Sequence, residues 1–286
     1  MLSSLIITKR TIDNIIERAR DVHEEVRRLT FKLIGEKIIM RNLRSDQIIQ
    51  LLSNGLQDRD SQVRDLCKLM LTNWFDQLGN DLIKFVKYLE IEDHADTAEQ
   101  ALCVLFDEDN GTNAGREVIE SALRMLRNQQ ELSGEMVFVW RVYCKQHEEE
   151  VEEQAEKYLP ELSEFCGVIQ RLLASSPPCE FVLSQLFLLS PFLDASDEVG
   201  RKYLSLLLKN TLISPDTPHS LIGPIFIVLQ SLHPSIRDLA QIIFEMIAIV
   251  REPLVQLDSP DQSRQLDQLQ NVRAPPIEFV VVFSHF

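Results

Sequence analysis

Between Lys9 and Arg44 the sequence carries ten basic residues against six acidic ones. This stretch holds the side chains best suited to a chemistry, and that chemistry is phosphate binding. It needs several Lys and Arg on one continuous surface, each releasing condensed counterions as it meets a nucleic-acid backbone. On a helical wheel Arg28 and Lys32 share a free face one turn apart, Arg18 and Arg20 come just before the helix, and Arg41 and Arg44 leave its C-terminal end. The same residues also fit an ordinary solvated helix. Glu25 stands three before Arg28 and Glu36 four after Lys32, which is the spacing of surface pairs.

Other chemistry is thinly represented. Gly is sparse, and neither G-x-G-x-x-G nor G-K-[ST] occurs, so no nucleotide loop is expected. Cys144-x-x-His147 is the only Cys/His pair at ligand spacing, and no second pair completes four ligands. Cys144 is expected to pack inside a helix and His147 to face solvent. Cys67 and Cys103 stand on apolar stripes, where Cys is ordinarily inert core. No Ser, His and Asp constellation stands out, so no catalytic residue, metal or cofactor is expected. Asn110-Gly-Thr112 fits a glycosylation sequon and reads more simply as a turn.

The elements that must carry these residues are helices. With 45% apolar residues and only 9 Gly among 286 residues, helix is favoured over turn-rich β structure. Five Cys without paired spacing argue for a reducing compartment. No apolar run reaches the ~20 residues of a membrane span. A soluble intracellular protein is expected. The net charge of −15 is uneven: residues 1–90 hold 15 basic and 13 acidic residues, and residues 91–286 hold 14 and 31.

One pattern is stated twice. Asp21, Val26 and Arg27 recur as Asp58, Val63 and Arg64, 37 residues on, and Leu29/Leu66, Leu33/Met70, Ile34/Leu71 and Ile38/Phe75 follow in register. A repeat near ~40 residues built of helices is the mark of HEAT or armadillo solenoids. The expected fold is therefore all-α, a HEAT/armadillo-like helical-repeat solenoid (α-α superhelix). Asp21, Arg27, Asp58 and Arg64 are expected to form a structural ladder, each Arg bonding the Asp of its own or the adjacent turn. Asp21 and Glu24 read as a capping box for a helix running to about Met40. On its wheel Val22, Leu29, Leu33 and Met40 form one apolar stripe, and Phe31, Ile34 and Ile38 a second. Ser45 should cap Gln47–Leu56.

Looser copies follow at Asp93/Ala98, Asp194/Val199 and Ser231/Ile236, with Pro234 at a helix start. Ten to fourteen helices are expected, with loops at Asp107–Arg116, Ala174–Glu180, Ser214–His219 and Asp258–Arg264. Glu148–Glu156 reads as the solvated continuation of a helix from Glu135. The solenoid should span residues 10–255. Residues 256–286, ending in a Pro-Pro pair and a β-prone run, read as an irregular tail, a truncated or mis-spliced C-terminus.

The stretch RARDVHEEVRRLTFKLIGEKIIMRNLRSDQIIQLLSNGLQDRDSQVRDLCKLMLTNWF resembles the HEAT-repeat G subunit of condensin, and the likeness extends through EEQAEKYLPELSEFCGVIQRLL to IIFEMIAIVREPLV, about Ile15 to Val255. The resemblance implies a non-catalytic harp-shaped solenoid that binds the kleisin subunit and, through it, the SMC ATPase subunits. It also implies a grip on double-stranded DNA through a basic groove in mitotic chromosome condensation, with residence in the nucleus and on chromosomes beside a cytoplasmic pool. Within the best-matching segment the candidate DNA contacts are Arg20, Arg27, Arg28, Lys32, Lys37 and Arg44, although the wheel turns Lys37 toward the first stripe. No membrane and no small-molecule substrate are implied. Members of that family are several times longer, so this chain would be a central fragment. A cohesin-type regulator or second-condensin subunit is the nearest alternative. A transport receptor or phosphatase scaffold, binding basic peptides in an acidic concave face, is the more distant one.

Overall fold

A computed structural model describes residues 9–175, 179–194, 196–215, 217–233 and 235–257. In chain order the helices are α1 (Lys9–Glu17), α2 (Glu24–Lys37), α3 (Ser45–Leu56), α4 (Ser61–Gln77), α5 (Leu82–Lys87), α6 (Ala95–Phe106), α7 (Asp109–Arg127) and α8 (Gly134–Gln146). Then come α9 (Glu148–Glu153), α10 (Ala155–Tyr158), α11 (Leu162–Ala174), α12 (Glu180–Leu189), α13 (Glu198–Ile213), α14 (Ile222–Leu232) and α15 (Ile236–Leu257). Among the described residues there is no β-strand. Each helix packs mainly on helices one to three places away in the chain, the local connectivity that lets repeats stack without a single large core. The chain divides into two compact units between Glu164 and Phe165.

Short polar caps start several of these helices. Asp60 accepts from the Val63 N–H at the head of α4, Asp81 from Lys84 at α5, Ser133 from Met136 at α8, and Asp197 from Val199 and Gly200 at α13. At the end of α4, Gly79 and Asn80 take left-handed backbone, with φ of 74° and 58°, and the Asn80 N–H returns to the Phe75 carbonyl. That reversal turns the chain into α5.

In the first unit α2 packs on α4, with Phe31, Ile34, Met70, Leu71 and Trp74 sealed between helices. The Trp74 indole N–H donates to the Ile38 carbonyl at 3.0 Å, and Trp140 does the same to Tyr158 at 2.9 Å. Each buried indole thereby satisfies a backbone oxygen freed where a helix ends. In the second unit α12 and α13 both pack on α14 around Leu186, Phe187, Leu208, Val228 and Leu229. A smaller cluster joins Ile242, Ile243 and Met246 of α15 to Leu212, Ile213 and Phe226.

Several expectations are corrected. Helix α2 begins at Glu24, because Arg27 draws the Asp21 and Val22 carbonyls inward and takes them out of helical hydrogen bonding. It ends at Lys37 rather than Met40. Its buried residues Arg27, Thr30, Phe31 and Ile34 lie on one face; of the other expected stripe Leu29 is 47% exposed, while the exposed Val22 and the fully buried Met40 fall outside the helix. Helix α3 starts at Ser45 itself, with the Gln47 side chain accepting the Arg44 N–H.

The expected loop at Asp107–Arg116 shrinks to Asp107–Glu108, and Asn110-Gly-Thr112 lies in the first turn of α7. A Cβ on Gly111 would sit 1.9 Å from the Leu105 carbonyl oxygen, and the Thr112 hydroxyl donates to the Phe106 carbonyl. This Gly allows a close approach and marks no turn. The acidic run is not a continuation of α8. It breaks at His147 and Gln154 into α9 and α10, and this split brings the described α-helices to fifteen.

Downstream the register slips. Asp197, not Asp194, caps α13, so Leu204 and Leu208 are buried while Val199 and Leu206 are exposed. On α15 Ile243 is buried, but Ile236 and Phe244 are exposed. Pro234, the Asp258–Arg264 loop and the tail beyond Leu257 lie outside the described residues.

Candidate functional site

The doubled Asp-Val-Arg motif builds the same backbone clamp twice. Arg27 Nη1 donates to the carbonyls of Asp21 at 2.8 Å and Val22 at 3.2 Å. Arg64 Nη1 donates to the carbonyls of Asp58 at 2.6 Å and Arg59 at 3.2 Å. These carbonyls belong to the loop entering each Arg's own helix. Orphan loop oxygens are thus satisfied by a guanidinium from one turn inside.

Beyond the clamp the two sites differ. Arg27 Nε and Nη2 also fork the Asp58 carboxylate at 2.7 and 2.9 Å, which ties α2 to the loop before α4. Both side chains are over nine-tenths buried. The paired geometry raises the Arg27 pKa, led by the Asp58 hydrogen bond. For Asp58, burial acts to raise the pKa, but Arg27 and the Asp60 N–H outweigh it and the carboxyl stays below the usual range. Asp21 does not join through its carboxylate, which accepts from the His23 N–H and from Arg18. Arg64 makes no ion pair among the described residues.

The candidate cations fare differently from one another. Arg27 is buried against Asp58 and offers no surface charge. Arg28 does not pair with Glu25 as the helix spacing suggested; it forks Asp60 at 2.9 and 2.6 Å. Its hydrogen bond is the main reason the Asp60 pKa falls to about 2. Arg44 forks Asp46 and lies 3.6 Å from Asp13. Arg20 Nε donates to Asn54. Lys32 and Lys37 are exposed and make no ion pair among the described residues. The structure therefore brings four of the six cations to partners within the chain and leaves two lysines on the α2 surface.

Two ionic clusters escaped the sequence reading. Arg116 of α7 donates to the Tyr143 hydroxyl at 3.1 Å and to Glu150 at 2.9 Å, and Tyr158 donates to the same Glu150. Glu150 is thus a fastening point between α7, α9 and α10, not part of a solvated face. Glu99 of α6 accepts from both Arg141 and Lys145 of α8. No local spacing flags either cluster, since the ion-paired residues lie 34 to 46 apart.

His147 corrects another expectation. It is half-buried, with its ring centroid 4.4 Å from that of Tyr143, and burial depresses its pKa. Burial pushes the Cys67 and Cys144 thiols up to about 12, so both are unreactive at neutral pH. Among the described residues no group of His, Cys, Asp and Glu could hold a metal ion, and no helix is long and apolar enough to cross a membrane.

No family model matches the chain. Curated relatives do. Condensin complex subunit 3 from Xenopus laevis is 28% identical over 295 residues, covering 94% of this chain and 28% of its own length. The Homo sapiens protein of the same name is 30% identical over 286 residues, covering 89% of this chain and 27% of its own. The Saccharomyces cerevisiae protein is 26% identical over 274 residues. Among solved structures, a chain of the S. pombe condensin Cnd3–Cnd2 subcomplex superposes with a TM-score of 0.71 at 23% identity, over 95% of this chain and 41% of that one. This likeness bears out the all-α helical-repeat solenoid. The chain spans little more than a quarter of the curated relatives it matches, and along that span it is a relative of condensin complex subunit 3.

Proposed function

We propose that this chain is a non-catalytic scaffold segment of a condensin complex. It holds a kleisin-type subunit and, through it, the SMC ATPase subunits, and it acts on chromosomes in the nucleus. The observation that carries this reading is the continuous likeness to condensin complex subunit 3 over about nine-tenths of the chain in four organisms. A solved relative of the same fold is crystallised as a Cnd3–Cnd2 subcomplex, which supports a protein partner along these repeats. The Arg27–Asp58 fork is the ladder contact that fixes one repeat on the next. Co-expression with the kleisin subunit of the same organism tests the scaffold reading. A complex that survives gel filtration is the expected result, and its absence would overturn it.

Double-stranded DNA is the second partner in this proposal, with Lys32 and Lys37 as the leading contacts and Arg20, Arg28 and Arg44 contributing after exchange of their present partners. Arg27 leaves the set, since a buried and neutralised guanidinium releases no counterions. The support is the basic excess of residues 9–44 and the two lysines that make no ion pair among the described residues. A salt series on random-sequence duplex should show a slope that falls by about 2 in Lys32→Glu/Lys37→Glu, roughly one per lost phosphate contact. An unchanged slope would leave both lysines as solvated surface.

A further inference from the structure

Residues 91–286 carry 31 acidic residues against 14 basic ones, so a cluster of cations there stands against its surroundings. Such a cluster lines a cleft of about 600 Å³ formed by α13 with the end of α14 and the start of α15. Arg201, Ser205 and Lys209 recur every fourth residue and so share one face of α13. Lys202 also lines the cleft and is paired with Glu198 one turn back. Across the cleft His233 ends α14, with its Nε2 2.8 Å from the Ser205 hydroxyl oxygen. Lys209 makes no ion pair among the described residues. Burial, then the charges of Lys209 and Arg201, hold the His233 pKa below its ordinary value, against the pull of Asp238.

Ser235 and the carboxylate of Asp238 complete the lining, so three cations there face one carboxylate, a balance that can take a phosphoryl group. Such a group carries about −1.5 to −2 charges and three strong acceptor oxygens, and it is held by converging cations together with neutral donors. Lys209 and Arg201 supply the charge, and Ser205 and His233 supply short polar groups between them. Leu206 and Leu232 add an apolar wall that suits peptide side chains. A duplex would have to lay a whole row of phosphates along an acidic half of the chain. A single phosphoryl group inside the cleft meets mainly the charges within about one Debye length, ~8 Å. We propose that this cleft is a docking site for a phosphoserine or phosphothreonine on a partner protein. The site is independent of the α2 lysines and of the kleisin reading.

The test is fluorescence anisotropy of the whole chain with degenerate peptides centred on phosphoserine, beside the same peptides centred on serine. The phosphorylated pool is expected to bind about tenfold more tightly, the value of one charge-assisted contact. Inorganic phosphate should compete and random-sequence duplex should not. Lys209→Glu should abolish the preference and the milder Lys209→Gln should weaken it, while Lys32→Glu/Lys37→Glu leaves it unchanged. Lys209 is on the cleft surface, so an unshifted melting temperature will show that the variants fold; if Lys209→Glu does not fold, Lys209→Gln decides. Equal binding of the two pools would overturn the proposal. So would a preference indifferent to the Lys209 substitutions, or one competed away by duplex.

Discussion

Arg27 and Arg64 occupy the same place in the same motif, yet one is a buried joint and the other a half-exposed clamp. The backbone part is identical: each guanidinium collects the carbonyls five and six residues before it. That part follows from local sequence alone. The carboxylate does not. Arg27 finds Asp58 in the following repeat and is sealed there, while Arg64 finds none among the described residues. Motif identity therefore fixes how a helix is entered. Only the neighbouring repeat decides whether the Arg also becomes a tie between repeats.

The difference can be broken most forcefully at Asp58. Asp58→Ala leaves a buried guanidinium without its counter-charge and should cost about 3–5 kcal/mol. Arg64→Ala removes only two bonds to carbonyls and should cost about 1 kcal/mol. Urea unfolding followed by Trp74 fluorescence in a Trp140→Phe background reads this unit directly. Equal losses would mean that the two sites are alike after all.

A second joint lacks any Arg and works by proximity. Gly111 lets the start of α7 close on the Leu105 carbonyl at the end of α6. Gly111→Ala should cost about 1–3 kcal/mol despite the better helix propensity of Ala, because the new methyl meets backbone and not a yielding side chain. A neutral or stabilising result would show that the junction relaxes freely.

Acid should undo the ionic joint selectively. Folding depresses the carboxyls of both Asp58 and Asp60, the latter from 3.8 to about 2. A depressed carboxyl contributes stability that is present above its unfolded pKa and lost as pH falls through the folded one. Stability should therefore decline from about pH 4 toward about pH 2. In Asp60→Asn that decline should be shallower, as measured by urea midpoints at stepped pH. The smallest expected effect lies on the face of α2 turned away from Arg27's partners. Leu29→Ser should change stability by no more than about 0.5 kcal/mol, since Leu29 is already half exposed. A loss of core size would restore the two-faced reading of α2.

The candidate site was legible in part. Residue type and spacing located the repeat, the basic strip, the inert Cys67 and the packing of Cys144, because these depend on neighbours along the chain. They could not show that Arg28 would leave Glu25 for Asp60, or that Glu150 would be pulled out of an acidic run by Arg116 and Tyr158. Asp60 lies 32 residues from Arg28 and Arg116 lies 34 from Glu150, and no periodicity connects them.

The helical class and the 37-residue recurrence were determined by sequence alone, through apolar periodicity, sparse Gly and the caps that short polar side chains provide. The tertiary structure decided which face of each helix is buried, as with Leu29 on α2 and Val199 and Leu206 on α13. It also decided whether Asn110-Gly111 would turn or run straight, and which cations remain free. The physical reason is common to all three. Helix formation is a local balance of backbone hydrogen bonds and side-chain entropy, whereas burial and charge pairing are settled by whatever surface the next repeat presents.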